Sequence, residues 1–255
     1  MAHGGGQLMG KFFFKPSDRN GDYVHFIGSP AHHLVKVLRL SIGQEIHLCD
    51  GDNTDFTAIV EAVTEKPLMI TLSLLSSRPS NTELLYETTL YQGLPKGDKL
   101  EWIIEKCIEL GVLKIVPTHT SRSIVSIHSA INKIERYKRI AESAASQSMR
   151  GVIPIISHPV SFANAIDGND NNLHLVAYEN EKTHTIKSVL ETTAPKPLSL
   201  WVGPEGGFTE NEIASLVKKG GNLISLGPRI LRTETAGMAA LAQINAIWDG
   251  INDIF

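Results

Sequence analysis

The chain has 255 residues, 42% of them apolar and 20% charged, and a net charge of −3. That length and composition suit one large or two smaller folded domains and exclude a disordered chain, and the charge excludes a uniformly basic nucleic-acid coat but allows local basic patches. Cys49 and Cys107 are too few for a disulfide framework, no C-x-x-C or H-E-x-x-H pattern suggests a metal, and no apolar run reaches the roughly 18 residues of a membrane span.

The opening MAHGGGQLMG has no apolar leader core, and residues 1–10 read as a loose tail or a cloning scar. Strand-like runs follow at 12–14, 23–27, 45–48, 56–63 and 68–74, with one helical piece at 31–40. Asn20-Gly21-Asp22, Gly43, Asp50-Gly51-Asp52-Asn53 and Pro67 break them with strong turn chemistry. This predicts a small β-barrel or curled sheet over residues 11–75. The polar run SSRPSNT at 76–82 reads as a linker.

From residue 83 the pattern changes. A strand is expected over 87–92, then a helix over 98–110 with Leu100, Ile103, Ile104, Cys107 and Ile108 on one face, stopped by Gly111. A strand over 114–117, a long helix over 129–149 starting at Ser129, and strands over 173–178 and 198–202 complete it. Alternation of this kind predicts a parallel α/β sheet. Charge is uneven: residues 11–40 carry five cations against two acids, and residues 121–150 six against two. Such patches steer polyanions, but solvated helix faces paired with nearby acids give the same pattern. Trp102 and Trp201 sit in apolar runs and read as core.

Two segments carry chemistry. In LSLWVGPEGGFTENE (198–212) a buried strand runs into a glycine turn. Thr209 and Glu212 then form the T-x-x-E signature of a helix start, and Gly220 stops that helix. In LISLGPRILRTETA (223–236) a second apolar strand ends at Gly227-Pro228, before a helix capped at Thr233 with Glu234 in its first turn. Each alone is an ordinary strand–helix turn. Together, at the carboxyl ends of parallel strands, they predict a ligand pocket walled by backbone. No P-loop, G-x-G-x-x-G or G-x-S-x-G pattern is present, so the ligand is expected to bind by peptide groups and apolar walls with few fixed charges.

VGPEGGFTENE (202–212), LGPRILRTETA (226–236) and KGDKLEWIIEKCIELGV (96–112), supported by HHLVKVLRLSIGQEI (32–46), ERYKRIA (135–141) and SQSMR (146–150), resemble the 16S ribosomal RNA uracil-N3 methyltransferase family, a branch of the knotted SPOUT methyltransferases. The resemblance runs from about Lys11 to the C-terminus. It implies an α/β fold with an N-terminal PUA-like β-barrel for RNA (11–75) and a C-terminal SPOUT domain (83–255) containing a deep trefoil knot. It further implies S-adenosylmethionine bound in the knot, a homodimer, and a cytoplasmic enzyme acting on small-subunit ribosomal RNA or the assembled 30S subunit. The family commonly has an acid before the Gln of SQSMR, where this chain has Ser146.

On this reading Gly203, Gly206, Leu226, Gly227, Leu231 and Thr233 contact the cofactor, mostly through backbone. Arg232 stabilises a uracil anion or clamps a phosphate. Glu205 and Glu234 are candidate bases if a protein base is needed, though a turn-stabilising carboxylate and a helix-dipole partner of Arg232 account for them equally. RNA contacts are expected from Lys11, His32, His33, Lys36 and Arg39, with His32, Lys36 and Arg39 on one helical stripe, and from Arg122, Arg136, Arg139 and Arg150. Two rival readings are another knotted RNA methyltransferase, acting on a ribose 2′-hydroxyl or a different base, and a non-catalytic RNA-binding assembly factor.

Overall fold

The computed structural model describes residues 10–168 and 172–248. The segment read as a tail lies outside them up to residue 9; Gly10 is buried against Ser146. The described residues fall into two compact units, 10–83 with 145–153, and 84–144 with 154–248. The short stretch 145–153 thus packs with the first unit although the flanking sequence builds the second.

The first unit is one curled sheet. Its strands are β1 (Phe12–Phe13), β2 (Arg19–Asn20), β3 (Tyr23–Ile27), β4 (Glu45–Cys49), β5 (Thr54–Glu65) and β6 (Leu68–Pro79), in the order β1-β4-β5-β6-β3-β2. All neighbours are antiparallel except β1 with β4. Val24 and Phe26, Ile46 and Leu48, Ala58 and Val60, and Ile70 and Leu72 alternate inward to form the core. Register breaks at Thr57/Ala58 and Val60/Ala62 bend the long β5–β6 pair. The expected linker is mostly strand: β6 runs on to Pro79, with Arg78 opposite Asp55 and Pro79 opposite Thr54. A polar composition does not end a strand whose ladder has a partner.

The helical piece is shorter and wider than expected. Helix α1 (Ser29–His32) opens into a π-turn over His33–Val37, closed by Leu38 N–H donating to the His33 carbonyl. Arg39 then takes a left-handed φ of 57°. The spacing that would put His32, Lys36 and Arg39 on one stripe is lost, because a π-turn advances fewer degrees per residue than an α-helix. All three, and His33, remain exposed, with Lys36 3.3 Å from Glu65.

Lys11 and Arg150 correct the sequence reading more sharply. Both were expected to meet RNA; they are 1% and 3% exposed. Lys11 Nζ lies 2.5 Å from Asp55 Oδ1 and 3.3 Å from Ser80 Oγ. Arg150 Nη2 lies 2.5 Å from Glu83 Oε2, and the Gly151 amide donates to the same carboxylate. A buried cation needs a partner, and the chain supplies each from distant sequence. Ser146, at the position where the family usually has an acid, donates its hydroxyl to the Lys11 carbonyl at 2.5 Å and accepts the Lys11 amide on its own carbonyl. Replacing Asp55 by alanine strands the Lys11 ammonium. Urea unfolding is expected to show a loss of about 3–5 kcal/mol, and a loss below about 1 kcal/mol would mean that water reaches the site.

The second unit is a parallel sheet flanked by helices, as the alternation predicts. Its strands β7 (Thr88–Gly93), β8 (Lys114–His119), β9 (Ile155–Ile156), β10 (Val160–Ser161), β11 (Leu173–Ala177), β12 (Leu198–Val202) and β13 (Asn222–Ile224) run β10-β8-β7-β12-β11-β13, with β9 beside β8. Every pairing is parallel. The central β12, LSLWV, is buried at every residue, as a strand covered on both faces must be. Trp201 is core and stacks on Tyr91 with ring centroids 4.0 Å apart.

Helix α2 (Lys99–Glu109) buries the expected face, but Trp102 is not core. It lies on the opposite side, 50% exposed, with Lys106 Nζ 5.2 Å over its ring. The single long helix is two: α3 (Ile127–Ile131) and α4 (Ile134–Gln147). The first is capped by Ser126, whose hydroxyl accepts from the Ser129 amide, so Ser129 is inside the helix and not its start. Helices α5 (Phe162–Ile166), α6 (Ile186–Leu190), α7 (Glu210–Lys218) and α8 (Thr233–Trp248) follow. Asn245 anchors α8 by accepting from Tyr86 Oη and donating to the Leu110 carbonyl. Cys49 and Cys107 are buried free thiols. Among the described residues no helix is long and apolar enough to cross a membrane, and no cluster of His, Cys, Asp and Glu could hold a metal ion.

Candidate functional site

The carboxyl ends of β11, β12 and β13 open onto a cavity of about 500 Å³ in the second unit. Three loops wall it: 177–182 after β11, 203–207 after β12 and 225–233 after β13. This is the edge where open parallel sheets bind ligands. Of the cofactor contacts read from sequence, Gly203, Gly206, Leu226, Gly227, Leu231 and Thr233 all line it. Glu205 and Arg232 also line it, while Glu234 stands behind them in the first turn of α8.

The walls are mostly peptide groups. Gly207 has φ 67° and Gly227 φ 113°, values that side chains resist. A Cβ on Gly207 would lie 2.7 Å from Glu179 Oε1, so the loops after β11 and β12 touch because that side chain is missing. The 203–207 turn is held from three sides. Arg122 Nη1 donates to the Gly206 carbonyl at 2.6 Å. The Thr233 hydroxyl donates to the Gly203 carbonyl at 2.6 Å and accepts from Gln92 Nε2 at 2.9 Å. Pro204 packs on Gly93, where a Cβ would meet Pro204 N at 2.5 Å. On the far wall the Ser225 amide donates to the His184 carbonyl at 2.7 Å.

Thr233 is therefore not the helix cap that the sequence suggested. It is the first residue of α8, and its hydroxyl joins the two glycine turns. Thr209 and Glu212 do form the expected reciprocal cap of α7, and Glu212 also accepts from the Ser121 amide. Replacing Thr233 by valine removes the bond to Gly203 and leaves a part-buried carbonyl without it. The melting curve is expected to show a loss of about 1–3 kcal/mol, with weaker binding of the pocket's ligand in titration calorimetry. Unchanged binding would show that the two turns hold their positions independently.

Charge at the mouth is organised around Lys99. Its Nζ lies 3.0 Å from Glu205 Oε1 and 3.3 Å from Glu234 Oε2. Burial pushes the Glu205 carboxyl up, but hydrogen bonds from Lys99 and the Lys96 amide outweigh it and hold the group below its ordinary range. Of the two roles read from sequence, these bonds are those of the turn-stabilising carboxylate. Arg232 is 83% exposed, with its Nη1 4.0 Å from Glu234 Oε1. The Glu181 carboxyl, held well below its usual range by the His184 and Thr183 amides and the Thr183 hydroxyl, shapes the third loop.

The expected RNA contacts in this unit stand on the surface with partners of their own. Arg122 clamps Gly206, Arg136 Nη2 lies 2.6 Å from Glu101, and Arg139 Nε donates to the Glu135 carbonyl. Sequence reasoning missed Gly93, Lys99 and the 177–182 loop. A glycine at a strand end signals close backbone approach, and the loop follows a strand parallel to β12, so two of these were findable.

The chain is similar to known proteins. The family model described as RNA methyltransferase domain matches residues 81–245, and that described as RNA methyltransferase PUA domain matches residues 28–73. The ribosomal RNA small subunit methyltransferase E of Bacillus subtilis (strain 168) is 36% identical over 226 residues, covering 86% of this chain and 88% of that one. The protein of the same name from Synechocystis sp. is 35% identical, covering 85% and 70%. Among solved structures, ribosomal RNA small subunit methyltransferase E from Neisseria gonorrhoeae bound to S-adenosyl methionine superposes with a TM-score of 0.83 at 29% identity, covering 94% of this chain and 98% of that one. A putative methyltransferase from Legionella pneumophila, in complex with the same cofactor, gives 0.83 at 30% identity, covering 92% and 96%.

Proposed function

Because the chain belongs to the family of RNA methyltransferases that includes ribosomal RNA small subunit methyltransferase E, we propose that it transfers a methyl group from S-adenosylmethionine to N3 of a uridine in small-subunit ribosomal RNA. The observation that carries this reading is the backbone-walled cavity at the ends of β11–β13 with Arg232 at its mouth. Its volume of about 500 Å³ suits a nucleoside-sized ligand. The glycine turns leave room for a flat base against peptide groups, and the carboxylate of Glu179 beside Gly207 favours a cationic end. Gly203, Gly206, Leu226, Gly227, Leu231 and Thr233 would hold the cofactor, whose bound sulfonium supplies an electrophilic methyl carbon.

The rest falls to this chain's own residues. The target base must leave its pairing and enter the cavity mouth, since N3 lies on the pairing edge. Rigid turns then supply alignment, the main requirement of an in-line displacement. Loss of the N3 proton places charge on the ring nitrogen and its flanking carbonyl oxygens, and Arg232 supplies the matching cation. Glu205 is not asked to act as base, because its Oε1 is taken up by hydrogen bonds from Lys99 and the Lys96 amide. The exposed His32, His33, Lys36 and Arg39 of the first unit, and Arg122, Arg136 and Arg139 of the second, would meet the RNA backbone.

Three further parts belong to this proposal. The C-terminal end of the chain threads a loop as a deep trefoil knot, a reading supported by Thr233 at the start of α8 bonding back to the Gly203 turn. The protein is a homodimer, supported by the half-exposed Trp102, an aromatic of the kind that subunit interfaces bury. It works in the cytoplasm, where its substrate is.

The test is incubation with labelled S-adenosylmethionine and either naked small-subunit RNA or assembled 30S particles, followed by nucleoside mass spectrometry. The expected product is 3-methyluridine. A ribose-methylated or other methylated base would replace the uridine assignment. RNA binding without cofactor binding would make the protein an assembly factor.

A further inference from the structure

Lys99 sits in the first turn of α2, yet it faces the pocket. The acids beside it in sequence point elsewhere: Asp98 pairs with Lys133 at 3.2 Å, and Glu101 with Arg136 at 2.6 Å. Lys99 instead reaches both Glu205, which belongs to the turn after β12, and Glu234, which follows the loop after β13. One ammonium thus joins the acids of both pocket turns, at 3.0 and 3.3 Å.

Glu234 stands between two cations. Its Oε2 faces Lys99 at 3.3 Å and its Oε1 faces Arg232 at 4.0 Å. The Lys99 side chain is 34% exposed and Arg232 83%, so the inner cation makes the closer contact and the outer one extends toward solvent. If Lys99 were absent, Glu234 would have Arg232 as its near cation, and a guanidinium closes onto a carboxylate in a two-pronged geometry that an ammonium cannot match. Glu205 would keep the Lys96 amide and its own backbone amide. An Arg232 drawn down onto Glu234 is turned away from the cavity mouth.

We propose that Lys99 is a positioning residue for methyl transfer: by occupying Glu205 and Glu234 it keeps the Arg232 guanidinium from closing onto Glu234 and leaves it turned to the substrate. The proposal rests on the role given to Arg232 above. The Lys99 ammonium donates to Glu205 and faces Glu234 as an ion pair, and these carboxylates hold it above its ordinary range.

The test compares wild type with Lys99→Met, Lys99→Arg, Glu234→Gln and Lys99→Met/Glu234→Gln. Three quantities are read: cofactor affinity by calorimetry, kcat and KM on small-subunit RNA, and the rate at which phenylglyoxal modifies Arg232, located by peptide mass spectrometry. Lys99→Met is expected to lower kcat roughly 10- to 100-fold, leave cofactor affinity nearly unchanged and slow Arg232 modification several-fold. Lys99→Arg should restore both rates. Adding Glu234→Gln to Lys99→Met should restore the modification rate, while Glu234→Gln alone should leave it as in wild type. Wild-type modification of Arg232 in Lys99→Met, or no recovery in the double variant, overturns the proposal. Faster modification in Glu234→Gln alone also overturns it, since Arg232 would then already be held. If wild type fails to methylate small-subunit RNA, the functional reading falls, while the modification rates still decide the place of Lys99.

Discussion

Valine at position 203 is expected to weaken S-adenosylmethionine binding about 10- to 100-fold while RNA affinity stays close to wild type and the melting temperature falls by roughly 2–12 °C. An ideal Cβ on Gly203 would lie 3.0 Å from Gly207 C and Cα and 3.2 Å from Phe208 N. Those are backbone atoms, and they have nowhere to go. Behind the turn, Pro204 is already packed where Gly93 has no side chain. Across it, the Gly203 carbonyl is tied to Thr233 at 2.6 Å. The strain of an added side chain in a close-packed site is about 1–3 kcal/mol, which at about 1.4 kcal/mol per decade gives the stated loss in affinity. It is well below the about 5–15 kcal/mol that holds a domain folded, so the chain should survive while the pocket does not. Calorimetry with cofactor, filter binding with RNA and a thermal melt check the three parts. Loss of RNA binding together with loss of a cooperative melting transition would mean that residue 203 supports the fold and not the ligand.

How much of this was legible depends on whether the information is local. The strand at 198–202 and the reciprocal cap of Thr209 and Glu212 were readable because one apolar run, or one pair of side chains three apart, decides them. The break between α3 and α4 was not, since the helical period of the sequence runs through it and only the Ser126 cap fixes the true start. The exposure of Trp102 was readable in principle, as it lies off the stripe formed by Leu100, Ile103, Ile104, Cys107 and Ile108. The burial of Lys11 was not. Its partner Asp55 lies 44 positions away, and nothing in either neighbourhood marks the pair. The same holds for the site. Two glycine turns announced a pocket, but the cation that joins their acids comes from a helix about a hundred residues earlier, and only the fold brings it there.

Arg232→Ala is expected to lower kcat by about 10²- to 10³-fold, the cost of removing one donor aimed at developing charge, with little change in cofactor affinity. The side chain is 83% exposed and 4.0 Å from its nearest carboxylate, so its loss should leave the melting temperature within experimental error. Two roles are open to a guanidinium at this place, and kinetics separates them. A cation that stabilises the uracil anion acts in the transition state alone: its loss lowers kcat and kcat/KM together and leaves KM unchanged. A cation that clamps a phosphate acts in ground state and transition state alike: its loss raises KM, and the slope of log affinity against log salt falls by about one. We expect the first pattern, because Arg232 lies on the loop that walls the cavity, two residues before the acid that faces Lys99. A variant with wild-type kcat and a reduced salt slope would move Arg232 to the RNA backbone and leave the anion to the peptide N–H groups of the two turns.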